Sequence, residues 1–129
     1  MTKFFVDGEP QGKLRHRFSK GRAYTPRKTK QYEEHIARYY EGGCLAGAVF
    51  VHIIAFMPIP KSYTKAQKNA IRCKFLLPTK KPDADNIGKV VMDALNGIAY
   101  EDDKQVVDLH VVKEYSENKT GLEITIGEA

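Results

Sequence analysis

The chain has 129 residues, 42% of them hydrophobic, and a formal net charge of +5, a size that builds one domain around one modest core. No apolar run approaches the roughly 20 residues of a membrane span, and Met1 to Asp7 lack the long apolar stretch of a signal peptide; a single cytoplasmic domain over residues 1–129, with no membrane partner, is expected. Cys44 and Cys73 stand singly, without a second cysteine or histidine at zinc-ligand spacing, and read as thiols of a reducing compartment.

Along the chain, Lys3 to Val6 reads as a short strand closed by the glycine- and proline-marked turn Asp7 to Gly12. A basic loop follows, carrying Lys13, Arg15, Arg17, Lys20, Arg22, Arg27, Lys28 and Lys30 without an acidic residue among them. Thr25-Pro26 predicts an N-cap and a first-turn proline for a helix in which Tyr32, Ile36, Tyr39 and Tyr40 recur until Gly42-Gly43. The apolar run from Leu45 to Met57, bounded by glycine and by Pro58-Ile59-Pro60, predicts a buried strand. Thr64 caps a short helix through Arg72, inside a stretch from Lys61 to Lys81 whose charged residues are all basic.

From Asp85 onward, Ile87, Val90, Val91, Ala94, Leu95 and Ile98 recur every three or four residues, the apolar stripe of an amphipathic helix. Asp85, Lys89, Asp93 and Asn96 fall on its opposite face. Gln105 to Tyr115 and Leu122 to Ile126 read as strands paired in a hairpin across the Asn118-to-Gly121 turn. The order β-α-β-α-α-β-β predicts an α+β domain, a two-layer arrangement of helices on a small mixed sheet.

Charge is divided sharply along the chain. Residues 1 to 82 hold seventeen Lys/Arg against five Asp/Glu, a balance of +12, whereas residues 83 to 129 hold four against eleven, a balance of −7. A basic surface attracts polyanions through counterion release, so the first part is the expected nucleic-acid surface. The acidic part can serve the same substrate where a bound cation reverses its sign.

That acidic part concentrates Asp83, Asp85, Asp102 and Asp103 at the two ends of one helix. Crowded carboxylates repel one another and call for a cation, and hard oxygen ligands favour Mg²⁺, with Mn²⁺ as its substitute. Asp83 and Asp85 lie two residues apart beside Pro82, so both carboxylates can meet one ion. Asp103 rejoins them only if near-extended chain recovers a helix about 20 Å long at roughly 1.5 Å per residue; otherwise a partner subunit supplies the missing ligand. Lys89, one turn beyond Asp85, is placed to stabilise charge on a phosphoryl oxygen. Each residue also has a plainer use: Asp83 or Asp85 as an N-cap, Lys89 in an exposed ion pair, Asp102-Asp103 in a turn. His16, His35, His52 and His110 are scattered and read as satisfied or surface histidines, with His16, inside Arg15-His16-Arg17, the one expected to touch DNA.

The stretch Lys81 to Lys113 resembles the signature of the RusA family of Holliday junction resolvases. The matching elements are Asp83-Ala84-Asp85-Asn86, Lys89, Asp93-Ala94-Leu95, Asp102-Asp103, Gln105-Val106-Val107 and Lys113. Gly21-Arg22-Ala23-Tyr24-Thr25-Pro26 is similar to Gram-positive and prophage members. The resemblance implies a RusA-like fold and a homodimeric, Mg²⁺-dependent endonuclease, without organic cofactor, that nicks four-way DNA junctions symmetrically in recombination and repair. It places the catalytic acids and metal ligands on Asp83, Asp85 and Asp103 and the catalytic lysine on Lys89. The DNA-contact set, read from charge alone, is Arg15, His16, Arg17, Arg22, Arg27, Lys80 and Lys81. The other readings are a nuclease for other branched DNA and a non-catalytic DNA-binding module.

Overall fold

The computed structural model describes residues 1–14, 17–19, 21–24 and 26–129, with the side chains of residues 17–19, 23 and 24 outside that description. Among the described residues, six strands and three helices follow in chain order: β1 Thr2–Asp7, β2 Arg17–Ser19, β3 Arg22–Tyr24, α1 Arg27–Tyr39, β4 Val49–Pro58, α2 Lys65–Arg72, α3 Ala84–Leu95, β5 Val106–Ser116 and β6 Gly121–Glu128, with a 3-10 turn at Asp103–Gln105 ahead of β5. The predicted α+β order is present, with one addition: the basic loop is partly built as the β2–β3 hairpin, which turns at Gly21 with φ 74°.

The main sheet runs β1-β6-β4-β5. Strand β6 is antiparallel to both β1 and β4, while β5 lies parallel to β4. The predicted β5–β6 hairpin is therefore corrected, because β4 lies between the two strands. The reason is in the composition of β4, whose Val49, Val51, Ile53, Ala55 and Met57 are all buried. So apolar a strand is most stable with a partner on each side, and the short Glu117-to-Thr120 connection only has to step over one strand, about 10 Å at the usual interstrand spacing.

Helices α1 and α3 cover one face of this sheet and bury Ile36, Ile87, Val90, Val91 and Leu95 against Val51, Ile53, Ile124 and Ile126. Gly88 lets α3 approach β5 closely, since a Cβ there would stand 3.1 Å from Leu109 Cδ2 and 3.2 Å from Val111 Cγ2. Three further expectations are corrected. Pro26 itself occupies the N-cap of α1, with Thr25 outside the described residues. Tyr39 faces solvent at the end of α1 instead of joining the core. Ile98 is also exposed, and Ala99 and Tyr100 fill the core in its place, because α3 ends at Leu95 and the chain turns inward. Helix α2 forms as predicted, with Thr64 and Gln67 in a reciprocal capping box. None of its residues is buried, and Arg72 ties it to Glu117 beyond β5 at 2.7 Å. Among the described residues, no helix is long and apolar enough to cross a membrane.

Candidate active site on the acidic face of α3

Asp83 occupies the N-cap position of α3 with an extended backbone, φ −70° and ψ 148°, yet its side chain makes no capping hydrogen bond. Aspartate at this position ordinarily accepts from the first-turn N–H groups, so the exposed carboxylate is left available. Asp85 follows in the first turn, and Lys89 and Asp93 continue the same stripe at four-residue intervals. Among the described residues, Asp83, Asp85 and Asp103 take part in no ion pair within 4.0 Å.

The backbone before Asp83 is held from the sheet. Lys113 on β5 donates to the carbonyl oxygens of Lys80 at 2.7 Å and Pro82 at 3.0 Å. An ammonium shared between two carbonyls pins the segment that delivers Asp83, and the Lys81–Pro82 peptide within it is cis. From the other side, Lys13 N–H donates to Asn86 O at 3.0 Å. Gly12 lies so close that a Cβ would stand 2.9 Å from Asn86 Cβ and 3.0 Å from Pro82 Cβ. Between these segments lies an open cleft of about 670 Å³, lined by Glu9 to Leu14, Lys28, Lys81, Pro82, Asp83 and Asn86.

Lys13 belongs to the basic loop in the sequence but serves the interior here. Its ammonium bridges Glu33 of α1 at 3.0 Å and Asp93 of α3 at 2.8 Å, with only 11% of its side chain exposed. Burial by itself lowers the pKa of this lysine, but hydrogen bonds and charge from Asp93 and Glu33 outweigh it and leave the pKa raised. Lys13 is thus removed from the phosphate-contact surface. Lys89 stays 59% exposed, with its ammonium 3.9 Å from Asp93.

Asp102 and Asp103 separate into different tasks. Asp102 caps the 3-10 turn through Lys104 N–H at 3.0 Å, and that backbone hydrogen bond holds its carboxyl below the usual range. Gln105 clamps the same turn: its Oε1 accepts from the N–H groups of Glu101 and Asp102, and its Nε2 donates to the carbonyls of Leu45 and Gly47. Asp103 is half-buried next to this clamp. The hydroxyl of Tyr100, which donates to Met92 O at 2.7 Å, has a raised pKa, mainly through burial and then through the negative charges of Asp103 and Asp93.

The chain between α3 and Asp103 takes a folded route, not the near-extended one that a return to Asp83 and Asp85 requires, and it sets the Asp103 charge close to Tyr100. Gly97 N–H donates to Tyr100 O, and the Ile98 and Ala99 N–H groups donate to Leu95 O, because burying Ala99 and Tyr100 pulls the chain into the core. Asp85 and Asp93 are separated by about 12 Å along the helix at 1.5 Å per residue. Among the described residues, the group with ligand atoms within 4.8 Å of one another is His52, Asp108 and His110; Asp83, Asp85 and Asp103 do not form such a group in the single chain.

Of the expected DNA contacts, Arg22, Arg27, Lys80 and Lys81 are exposed. Lys80 places its ammonium 5.8 Å above the Tyr63 ring, and Lys81 borders the cleft beside Asp83. Arg15 and His16 lie outside the described residues, as does the side chain of Arg17. Sequence reasoning missed Lys13, Glu33 and Tyr100, whose roles depend on contacts between distant segments.

The model of the endodeoxyribonuclease RusA family matches residues 7–127. The chain belongs to the RusA endodeoxyribonuclease family. It is also similar to the uncharacterized protein YqaN of Bacillus subtilis (strain 168), at 38% identity over 125 residues that span 89% of this chain and 88% of the relative. The RusA match takes in the cleft, the whole of α3 and the Asp102-Asp103 turn.

The Lys13 bridge has a measurable consequence. Lys13→Met removes the ammonium that bridges Glu33 and Asp93, and the expected loss is about 1–3 kcal/mol, read as a lower urea midpoint at unchanged slope. Lys28→Met, at an exposed position, should leave the midpoint where it is. Equal midpoints for the two variants would mean that the bridge contributes nothing net.

Proposed function

We propose that this RusA family member is a Mg²⁺-dependent endodeoxyribonuclease that acts as a homodimer on four-way DNA junctions and resolves them by paired symmetric nicks. The observation that carries the reading is Asp83: a carboxylate at a helix N-cap that makes no capping bond and borders a cleft flanked by Lys28 and Lys81. Asp83, Asp85 and Asp103, which make no ion pair among the described residues, carry the hard oxygen donors that Mg²⁺ or Mn²⁺ prefers, and side-chain movement or a partner subunit would complete the ligand set that the single chain leaves spread out. Bound there, Mg²⁺ supplies polarisation of a phosphoryl oxygen and a water of lowered pKa.

The chain's own residues do the rest. Lys28 and Lys81 hold phosphates at the mouth of the cleft, while Lys113 fixes the carbonyl of Pro82 and with it the direction in which Asp83 leaves the backbone. Lys89, exposed on the stripe between Asp85 and Asp93, meets negative charge that grows on the non-bridging oxygens as the phosphodiester bond breaks. Lys13 offsets part of the charge of Asp93 and Glu33, so that this part of the stripe repels the substrate less. A two-fold dimer would present two such sites, matching a substrate that is itself two-fold symmetric. DNA recombination and repair, in a prophage setting, is the process this chemistry suits.

Asp85→Asn should abolish cleavage while leaving junction binding intact or tighter, because one fewer negative charge faces the phosphates; cleavage at the wild-type rate would remove Asp85 from the reaction. In a binding titration against salt, Lys28→Ala with Lys81→Ala should weaken affinity for every DNA sequence alike and reduce the slope of log K against log salt by about 2, near one unit per lost phosphate contact. An unchanged slope would take the cleft mouth off the phosphate path.

A further inference from the structure

We propose a second metal site, for a divalent transition cation of the zinc class, formed by His52, Asp108 and His110 on the sheet face opposite α3. These residues are 58 positions apart at the extremes of the chain segment they span, and strand pairing unites them. His52 of β4 is the register partner of His110 of β5, and Phe50 is the partner of Asp108. Val51 and Leu109 between them turn toward the helices, so the alternation of the strands sends His52, Asp108 and His110 to the other side.

The geometry suits one ion. Asp108 Oδ1 lies 3.0 Å from His110 Nε2 and 3.5 Å from His52 Nε2, and one ligand atom from each residue falls within 4.8 Å of the others. Ligands about 2.0–2.2 Å from a tetrahedral zinc stand roughly 3.3–3.6 Å apart, so the observed spacings need only small adjustment. The ring of His52 is held from both sides, its centroid 4.9 Å from that of Phe50 and 4.3 Å from that of His110.

A separate observation points to a ligand. The His52 side chain is 43% exposed, but its Nε2 atom is shielded from solvent and, among the described residues, makes no hydrogen bond of good geometry, Asp108 Oδ1 included; a shielded polar atom left without such a partner costs free energy and calls for an explanation. A cation bound by this nitrogen gives it one. Two imidazoles and one carboxylate favour zinc-class ions over Mg²⁺, with water completing the shell. The ion would tie β5, which lies at the edge of the sheet beside β4, to the centre of the sheet. This inference is independent of the nuclease reading, because it concerns the opposite face of the sheet and different ligand chemistry.

The test is calorimetric titration of Zn²⁺ into the full-length protein, stripped with chelator and then held in excess Mg²⁺ to occupy oxygen-ligand sites, with Co²⁺ as a spectroscopic probe. One Zn²⁺ per chain is expected, together with a visible Co²⁺ absorption band and a higher melting temperature. His110→Ala, at a side chain 64% exposed, should fold normally; it and Asp108→Asn should each weaken binding at least tenfold and remove the band. Absence of Zn²⁺ binding by the wild type, or binding and band unchanged in both variants, would overturn the site. Neither readout depends on DNA cleavage.

Discussion

The seating of α3 on the sheet is the constraint on which the acidic site depends. Ile87, Val90, Val91, Ala94 and Leu95 are buried on one side of this helix, and at about 1.5–3 kcal/mol for each large buried side chain that stripe determines its rotation. With the apolar side committed to the sheet, Asp85, Lys89 and Asp93 must face outward in a row. Gly88 sets how close the helix comes, since its missing side chain admits Leu109 and Val111 of β5. The same strand carries Lys113, whose ammonium holds the carbonyls just before Asp83. Packing and site geometry are therefore parts of one arrangement of α3 against β5.

Local bonding separates the structural aspartates from those left available for chemistry. Asp102 spends its carboxylate on a cap and Asp93 spends its own on Lys13. Asp83 occupies a capping position without making the cap, and Asp85 stays exposed beside it. Gln105 fixes the turn that presents Asp103 by bonding to both Leu45 and Gly47, which couples the acidic turn to the segment entering β4. The basic side chains are sorted in the same way. Lys13 and Lys113 work inside the protein, whereas Lys28, Lys81, Arg22 and Arg27 remain exposed.

Much of this was legible in the sequence where the determining interactions are local. The apolar spacing of Ile87 to Leu95 marks α3, the Thr64–Gln67 box marks α2, and the alternation of Val107, Leu109 and Val111 marks β5. Features decided by distant contacts were not legible. The placement of β4 between β5 and β6 follows from burial of the whole sheet, while the turn between those strands looks locally like that of a hairpin. Lys13 reads as one more cation in a basic loop because Glu33 and Asp93 reach it only through the packing of α1 against α3. His52 and His110 appear scattered until parallel pairing sets them side by side. Ile98 fits the helical period, yet the helix stops three residues before it, so periodicity overran the real end.

Metal-dependent cutting of branched DNA at the acidic stripe of α3 is the proposal on which the roles given to these residues rest. It is tested most directly by incubating the wild-type protein with an end-labelled four-way junction, alongside duplex and flap controls, in Mg²⁺ and in EDTA. Paired nicks at symmetric positions on the junction are expected in Mg²⁺ and none in EDTA. Binding without cutting in Mg²⁺, or nicks that persist in EDTA, would contradict it.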